Sequence, residues 1–165
     1  MLAPEEIIQK LGLQPHPIEG GYFRETFRSA ESLPNAYPGK GPRALGTSIY
    51  YLLTPETFSE MHRLPTEEVY HLYLGGPLRM LQLFPDGAHR EVLIGSDLLA
   101  GQTPQLVVPA GVWQGSLVEP GAPFALVGAT MSPGFDLDDY EQGTRAELIN
   151  QYPAAEALIR RLTRV

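Results

Sequence analysis

Two short stretches hold most of the side chains that could do chemistry. The first runs from His62 to Gly75, HRLPTEEVYHLYLG, and brings His62, Glu68, Tyr70 and His71 together, with Glu60 just ahead of it. The second, Pro109 to Gln114, PAGVWQ, follows some forty residues later and adds an amide. Histidine titrates near neutral pH and suits proton abstraction. His62 and His71 are the candidate bases. Imidazole and carboxylate also suit Mn, Fe, Ni or Zn. Buried polar groups must hydrogen-bond in any case, so the plainer expectation is that these side chains bond one another.

The elements that position them read as short strands. Side chains alternate across a strand, so Tyr70 shares the face of Glu68 and His71 takes the other unless a bulge intervenes. Thr57 to Arg63 puts Phe58, Glu60 and His62 on one face and Ser59, Met61 and Arg63 on the other. Which face points inward is left open, because a one-residue slip reverses every side chain. Further strands are expected at Tyr22–Arg28, Gly46–Leu53, Gln105–Val108, Val112–Glu119 and Pro123–Met131. Leu78–Phe84 and Ala88–Ile94 form a hairpin around Pro85-Asp86-Gly87, a strong turn signal. The uninterrupted apolar run of Pro123–Met131 marks a strand buried on both faces. Trp113 faces away from Gln114 as a packing anchor. His89 lies exposed at the hairpin.

Helices are expected only near the ends, at Pro4–Leu11, Arg145–Asn150 and Pro153–Leu162. Ser29–Gly46, with Pro34, Pro38, Gly39, Gly41 and Pro42, is a long loop, either a surface excursion or a lid. His16, between two prolines, reads as a surface loop residue. Tyr22, Arg24, Thr26 and Arg28 share one face of their strand, which either covers a pocket or meets another subunit. Arg24 is a candidate anion clamp, since guanidinium grips carboxylate and phosphate bidentately. Arg28 is more simply an ion pair with Glu25 or with the acidic stretch Asp136 to Glu141. This many short strands at regular spacing point to a sandwich or barrel, and a jelly roll solves its edge problem.

Composition narrows the class. The 165 residues are 43% hydrophobic, enough for one domain with a sizeable core. That domain spans residues 1–165, with a barrel core at about 20–131 and C-terminal helices at about 145–163. Lys+Arg 12 against Asp+Glu 19 gives a net charge of -7, which argues against nucleic-acid binding. The absence of cysteine removes disulfides, thiolate catalysis and Cys-based zinc sites. With no signal peptide and no membrane span in view, the expectation is a soluble, cytoplasmic protein.

The two stretches resemble the two motifs of the cupin superfamily. The first motif reads His-x-His, three or four residues, Glu, six residues, Gly, and Glu68 with six residues to Gly75 fits it. Counting back from Glu68, the two His positions fall on Met61 and Arg63; a one-residue longer turn brings Glu60 and His62 inward instead. The second reads Pro-x-Gly-x-x-His, and Gln114 stands where the last His would be. At EGGYFRETFRS, SIYYLL, FSEMHRLPTEEVYHLYLGGPL, VPAGVWQGS and SPGFDLDDYEQG the chain resembles the cupin-5 family (domain of unknown function 985) nearly end to end. The resemblance implies an all-β, double-stranded β-helix, the cupin jelly-roll barrel, with short terminal helices. It also implies a homodimer, a likeness in fold to deoxysugar-nucleotide epimerases, and no settled activity. On that footing a small polar metabolite, sugar- or nucleotide-like, is expected in the barrel, with Tyr22, Arg24, Glu60, His71 and Gln114 among its contacts. Epimerases of this fold pair a His base with a Tyr acid inside the barrel, so the resemblance implies epimerase- or isomerase-like acid–base chemistry as the leading expectation, with His62 as base, Tyr70 as acid and Glu68 and Gln114 as orienting groups. A metal-dependent enzyme and a non-catalytic sensor are the alternatives. The cofactor is unknown, a divalent metal being the candidate: metal cupins use His, His, Glu and His as ligands, which the resemblance turns here into His62, Glu68 and Gln114 with Glu60 in reserve, a weak set because of the amide.

Overall fold

Two sheets bury their inner faces against each other, and the terminal helices cover much of the outer ones, so the central strands are buried on both sides. The computed structural model describes residues 2–38 and 40–164. The strands are β1 (Gln14–Pro15), β2 (Tyr22–Arg28), β3 (Ser32–Leu33), β4 (Arg43–Ala44), β5 (Thr47–Leu53), β6 (Phe58–Arg63) and β7 (Glu68–Gly75). They continue as β8 (Leu78–Leu83), β9 (His89–Ile94), β10 (Gln105–Val108), β11 (Trp113–Val118), β12 (Ala125–Met131) and β13 (Glu141–Gln142). One sheet has the order β1-β2-β5-β12-β7-β10 and the other β13-β6-β11-β8-β9. Every ladder in them is antiparallel. The expected barrel therefore takes the form of two sheets, and among the described residues no ladder joins them.

The space between the sheets is filled from both sides. Tyr51 and Leu53 of β5, Tyr70 of β7, Leu78 and Met80 of β8, Val108 of β10, Val118 of β11 and Val127 of β12 form one cluster. The outer face of the second sheet is covered by α2 (Arg145–Gln151) and α3 (Glu156–Arg161), whose Leu148, Leu158 and Ile159 pack on Met61, Leu81, Leu83, Trp113 and Leu117. α1 (Pro4–Leu11) covers part of the first sheet's outer face, with Ile7 against Leu52, Phe124 and Leu126. Pro4 opens this helix, the Glu6 carboxylate accepts from the Ala3 N–H at 2.9 Å, and Gly12 ends it in the left-handed region. Among the described residues no helix is long and apolar enough to cross a membrane.

Three expectations needed correction. The Ser29–Gly46 loop contains a small ladder, β3 with β4. His16 is half-buried: the Gly20-Gly21 turn folds its segment back against β6, where the Glu19 carbonyl accepts from the Glu60 N–H at 2.9 Å. Gly20 is needed there, because at φ 105° a Cβ would stand 2.3 Å from the Phe58 carbonyl oxygen. Strict alternation also fails in β6. His62 pairs with Gln114 but Ser59 pairs with Ser116, so β6 spends three steps where β11 spends two. This bulge lets Ser59 and His62 face the interior while Phe58 and Met61 pack on the helices. Its backbone groups are satisfied from far along the chain. The Met61 N–H donates to Leu162 and the Met61 carbonyl accepts from Gly143, both at 2.8 Å.

Candidate functional site

The bulge and the inward face of β7 bring the principal candidates together. Gln114, opposite His62 across the β6–β11 ladder, donates its amide Nε2–H to Glu68 Oε2 at 2.6 Å. His62, Glu68, Tyr70 and Gln114 are all buried. His62 Nδ1 lies 2.7 Å from the Glu60 carbonyl oxygen. A carbonyl only accepts, so Nδ1 carries the hydrogen, and Nε2 is the nitrogen left to exchange a proton, the arrangement a base requires.

The enclosed space beside them is about 50 Å3 and is lined by His16, Glu19, Phe23, His62, Glu68 and Phe135, among others. That holds a few waters or a small head group. His16 and Glu19, which pattern reasoning left outside, are part of this lining. The Glu19 N–H donates to His16 Nδ1 at 2.9 Å, so the His16 Nε2–H faces Glu19 Oε2 at 3.9 Å. The Ser59 hydroxyl donates to the Glu19 carboxylate, and the Tyr51 hydroxyl to the Gly20 carbonyl at 2.8 Å. No period in the sequence marks His16 or Glu19; the only signal is that Glu19 opens EGGYF, with His16 three residues ahead of it.

Tyr140 was also missed. Its ring stacks on His62, with centroids 4.9 Å apart and planes at 17°. Its hydroxyl is buried without a partner. The short turn Leu137–Asp139 carries it, clamped where Arg43 donates twice to Asp139 at 2.7 and 2.8 Å. β13 then pairs with the edge of β6, Gln142 opposite His62.

Burial sets the electrostatics. It pushes the Glu68 carboxyl up to about 7, helped by the charge of Glu19 and opposed by His62 and the Gln114 amide. Burial likewise raises the Tyr51, Tyr70 and Tyr140 hydroxyls and lowers the His16 imidazole. Gln114 Oε1 and Ser116 Oγ are buried without partners.

Other candidates lie elsewhere. His71 is on the outer face, its ring nitrogens 3.1 Å from Thr130 Oγ1 and from the Gln105 amide. Tyr22 packs among the residues under α1, and Arg24 lies exposed over the Tyr50 ring. Arg28 pairs with Glu25 at 2.8 Å. Glu60 turns to the C-terminal side, 3.2 Å from Arg164. Trp113 packs on the helices, with Arg63 over its ring.

The donors do not fit a tight metal centre. Met61, at a motif His position, points away into the helix cluster. Gln114 turns its N–H to Glu68. Among the described residues no three His, Cys, Asp or Glu side chains gather as a metal site.

Comparison with known proteins places this geometry. The pattern of the family described as Cupin superfamily (DUF985) matches residues 5–143. An uncharacterized protein of Saccharomyces cerevisiae is 32% identical over 133 residues, 74% of this chain and 66% of that protein. The chain thus spans just under two thirds of that relative's length. A hypothetical protein from Leishmania major is 35% identical, with a TM-score of 0.90 over 99% of this chain and 100% of that one. Protein SO0799 from Shewanella oneidensis is also 35% identical, with a TM-score of 0.88 over 99% of each chain. Bacillus subtilis oxalate decarboxylase, studied for its Mn(II) centers, shares the fold at 16% identity and a TM-score of 0.56, over 91% of this chain and 37% of that one.

Proposed function

The chain belongs to the DUF985 family of the cupin superfamily, and on that premise we propose that it holds a small polar metabolite between its sheets and moves a proton on it as an epimerase or isomerase does. In this reading the two sheets act as the double-stranded β-helix of that superfamily, and the metabolite is sugar- or nucleotide-like. The observation that carries it is the buried set of His62, Glu68 and Gln114.

His62 Nε2 takes a proton from a carbon next to a carbonyl. The C–H bond breaks, an N–H bond forms, and the electron pair delocalises into the carbonyl. Tyr70 returns a proton to that carbon, and solvent carries one proton from the imidazolium to the phenolate. Glu68 and Gln114 orient the substrate, and Tyr140 covers His62. In the 50 Å3 space only the reacting head group fits, so a larger substrate enters by displacing the Tyr140 turn.

The test is proton exchange. Pooled small sugars and ketoses are incubated with the protein in D2O, and C–H to C–D exchange next to carbonyls is followed by NMR. We expect exchange that His62→Ala abolishes; full exchange in that variant removes the base from His62. Binding without exchange would favour the sensor reading. The assembly proposed with this function is a homodimer, expected at about twice the 18.1 kDa chain mass by light scattering; a clean monomer contradicts it.

A further inference from the structure

The interior site is rich in hydrogen-bond acceptors and poor in donors. Glu19 and Glu68 line it, and the Nδ1–H of His62 is spent on the Glu60 carbonyl rather than turned to the space. Beneath them Gln114 spends its N–H on Glu68, and its Oε1, in a residue 1% exposed, has no partner. A third carboxylate, Glu25, stands at the edge of the space with its charge met by Arg28. None of the lining side chains is a lysine or an arginine. Arg24, the residue expected to grip an anion, lies on the outer face over Tyr50. Phe23 and Phe135 supply ring surface to the same space.

A phosphate or carboxylate placed here would meet like charge with no guanidinium or ammonium to repay its desolvation. A group that donates several hydrogens and carries positive charge meets the opposite: carboxylate and amide acceptors, and aromatic faces that attract cations. The chain's net charge of -7 adds long-range attraction of the same sign.

We infer that the head group this site takes is a protonated amine carried on a small polar molecule, and that phosphorylated or carboxylated metabolites are excluded. The inference rests on the proposed reading that the space between the sheets is the ligand site, and it narrows the metabolite from sugar- or nucleotide-like to amine-bearing and unphosphorylated. The ammonium is held between Glu68 and Glu19, with the unpartnered Gln114 Oε1 behind Glu68 adding acceptor character.

The experiment uses three probes of one size: ethanolamine, ethylene glycol and glycolate, with inorganic phosphate as a further anion. The four histidines of the chain report through their ring C–H resonances. His16 and His62 lie at the site, while His71 and His89 are distant controls. We expect ethanolamine to shift His16 and His62 saturably and leave His71 and His89 in place, with glycolate and phosphate inert. Glu68→Gln keeps the shape and the bond from Gln114 and removes the charge. It should weaken ethanolamine about tenfold or more, the loss of one charge-assisted hydrogen bond. Glu19→Gln is the second variant, should the first fold poorly. Glycolate or phosphate shifting His16 and His62 as strongly as ethanolamine overturns the inference and leaves the ligand site standing. Ethylene glycol binding equally well overturns it in favour of a neutral polyol, as does ethanolamine bound undiminished by both variants. If no probe moves either histidine, the inference and the interior site fall together.

Discussion

Glu68 is where burial becomes a measurable property of the protein. Its carboxyl is raised from 4.5 to about 7 by burial first and by Glu19 second. A raised acid holds its proton longer in the folded chain than in the unfolded one, so stability falls as pH rises through the window from 4.5 to 7. The cost is fully present above about 7 and absent below 4.5, and amounts to about 3 kcal/mol at 1.36 kcal/mol per pKa unit. Glu68→Gln is neutral at every pH. It should therefore exceed the parent in stability at pH 8 by up to about that amount, with the gap closing toward pH 4.5; urea unfolding at the two pH values checks this. A cation beside Glu68 favours its ionised form, so ethanolamine should bind more tightly as pH rises through 7. The groups that face Glu68 there are Glu19, His62 and Tyr70, with the Gln114 amide.

At the scale of the element, the β6 bulge is what aims His62. Opposite it stands Gly115, where a Cβ would lie 2.7 Å from Met61 Sδ and 3.1 Å from the Ser59 carbonyl oxygen. Gly115→Ala should cost about 1–3 kcal/mol, as overpacking does, and should weaken any His62-dependent exchange by moving the bulge. Thermal unfolding and the exchange assay read the two effects separately. The Leu137–Asp139 turn is the other positioning element. Arg43→Met leaves the Asp139 carboxylate without its bidentate partner, so the stacking of Tyr140 on His62 should loosen. The expected sign is a shifted His62 ring resonance, with His89, exposed on the β8–β9 hairpin, unmoved.

At the scale of the whole molecule, the two sheets are buttressed from outside by the terminal helices, and the C-terminal end supports the bulge that aims His62. Ile159 of α3 is fully buried against the outer face of the second sheet, so Ile159→Ala should cost about 2–5 kcal/mol. The Leu162 carbonyl holds the Met61 N–H, so this change should also perturb His62, although α3 contributes nothing to the lining. Much of this was legible in the sequence. Period-2 patterning marked β2, apolar runs marked β5 and β12, and the Pro85-Asp86-Gly87 turn marked the β8–β9 hairpin, because local patterning and turn chemistry report on short-range structure. The likeness to the two motifs picked out Glu68 and Gln114, and parity with Glu68 picked out Tyr70, all three of them buried; the opposite parity of His71 agrees with its place on the outer face, although it was expected among the ligand contacts. What only the tertiary structure decided was the non-local part. His62 points inward because Leu162 and Gly143, far along the chain, satisfy the bulge at Met61. His16 and Glu19 line the site because a glycine turn folds them onto β6. Tyr140 stacks there because Arg43 holds Asp139. Each depends on a partner at no fixed spacing, and periodicity carries no record of such partners.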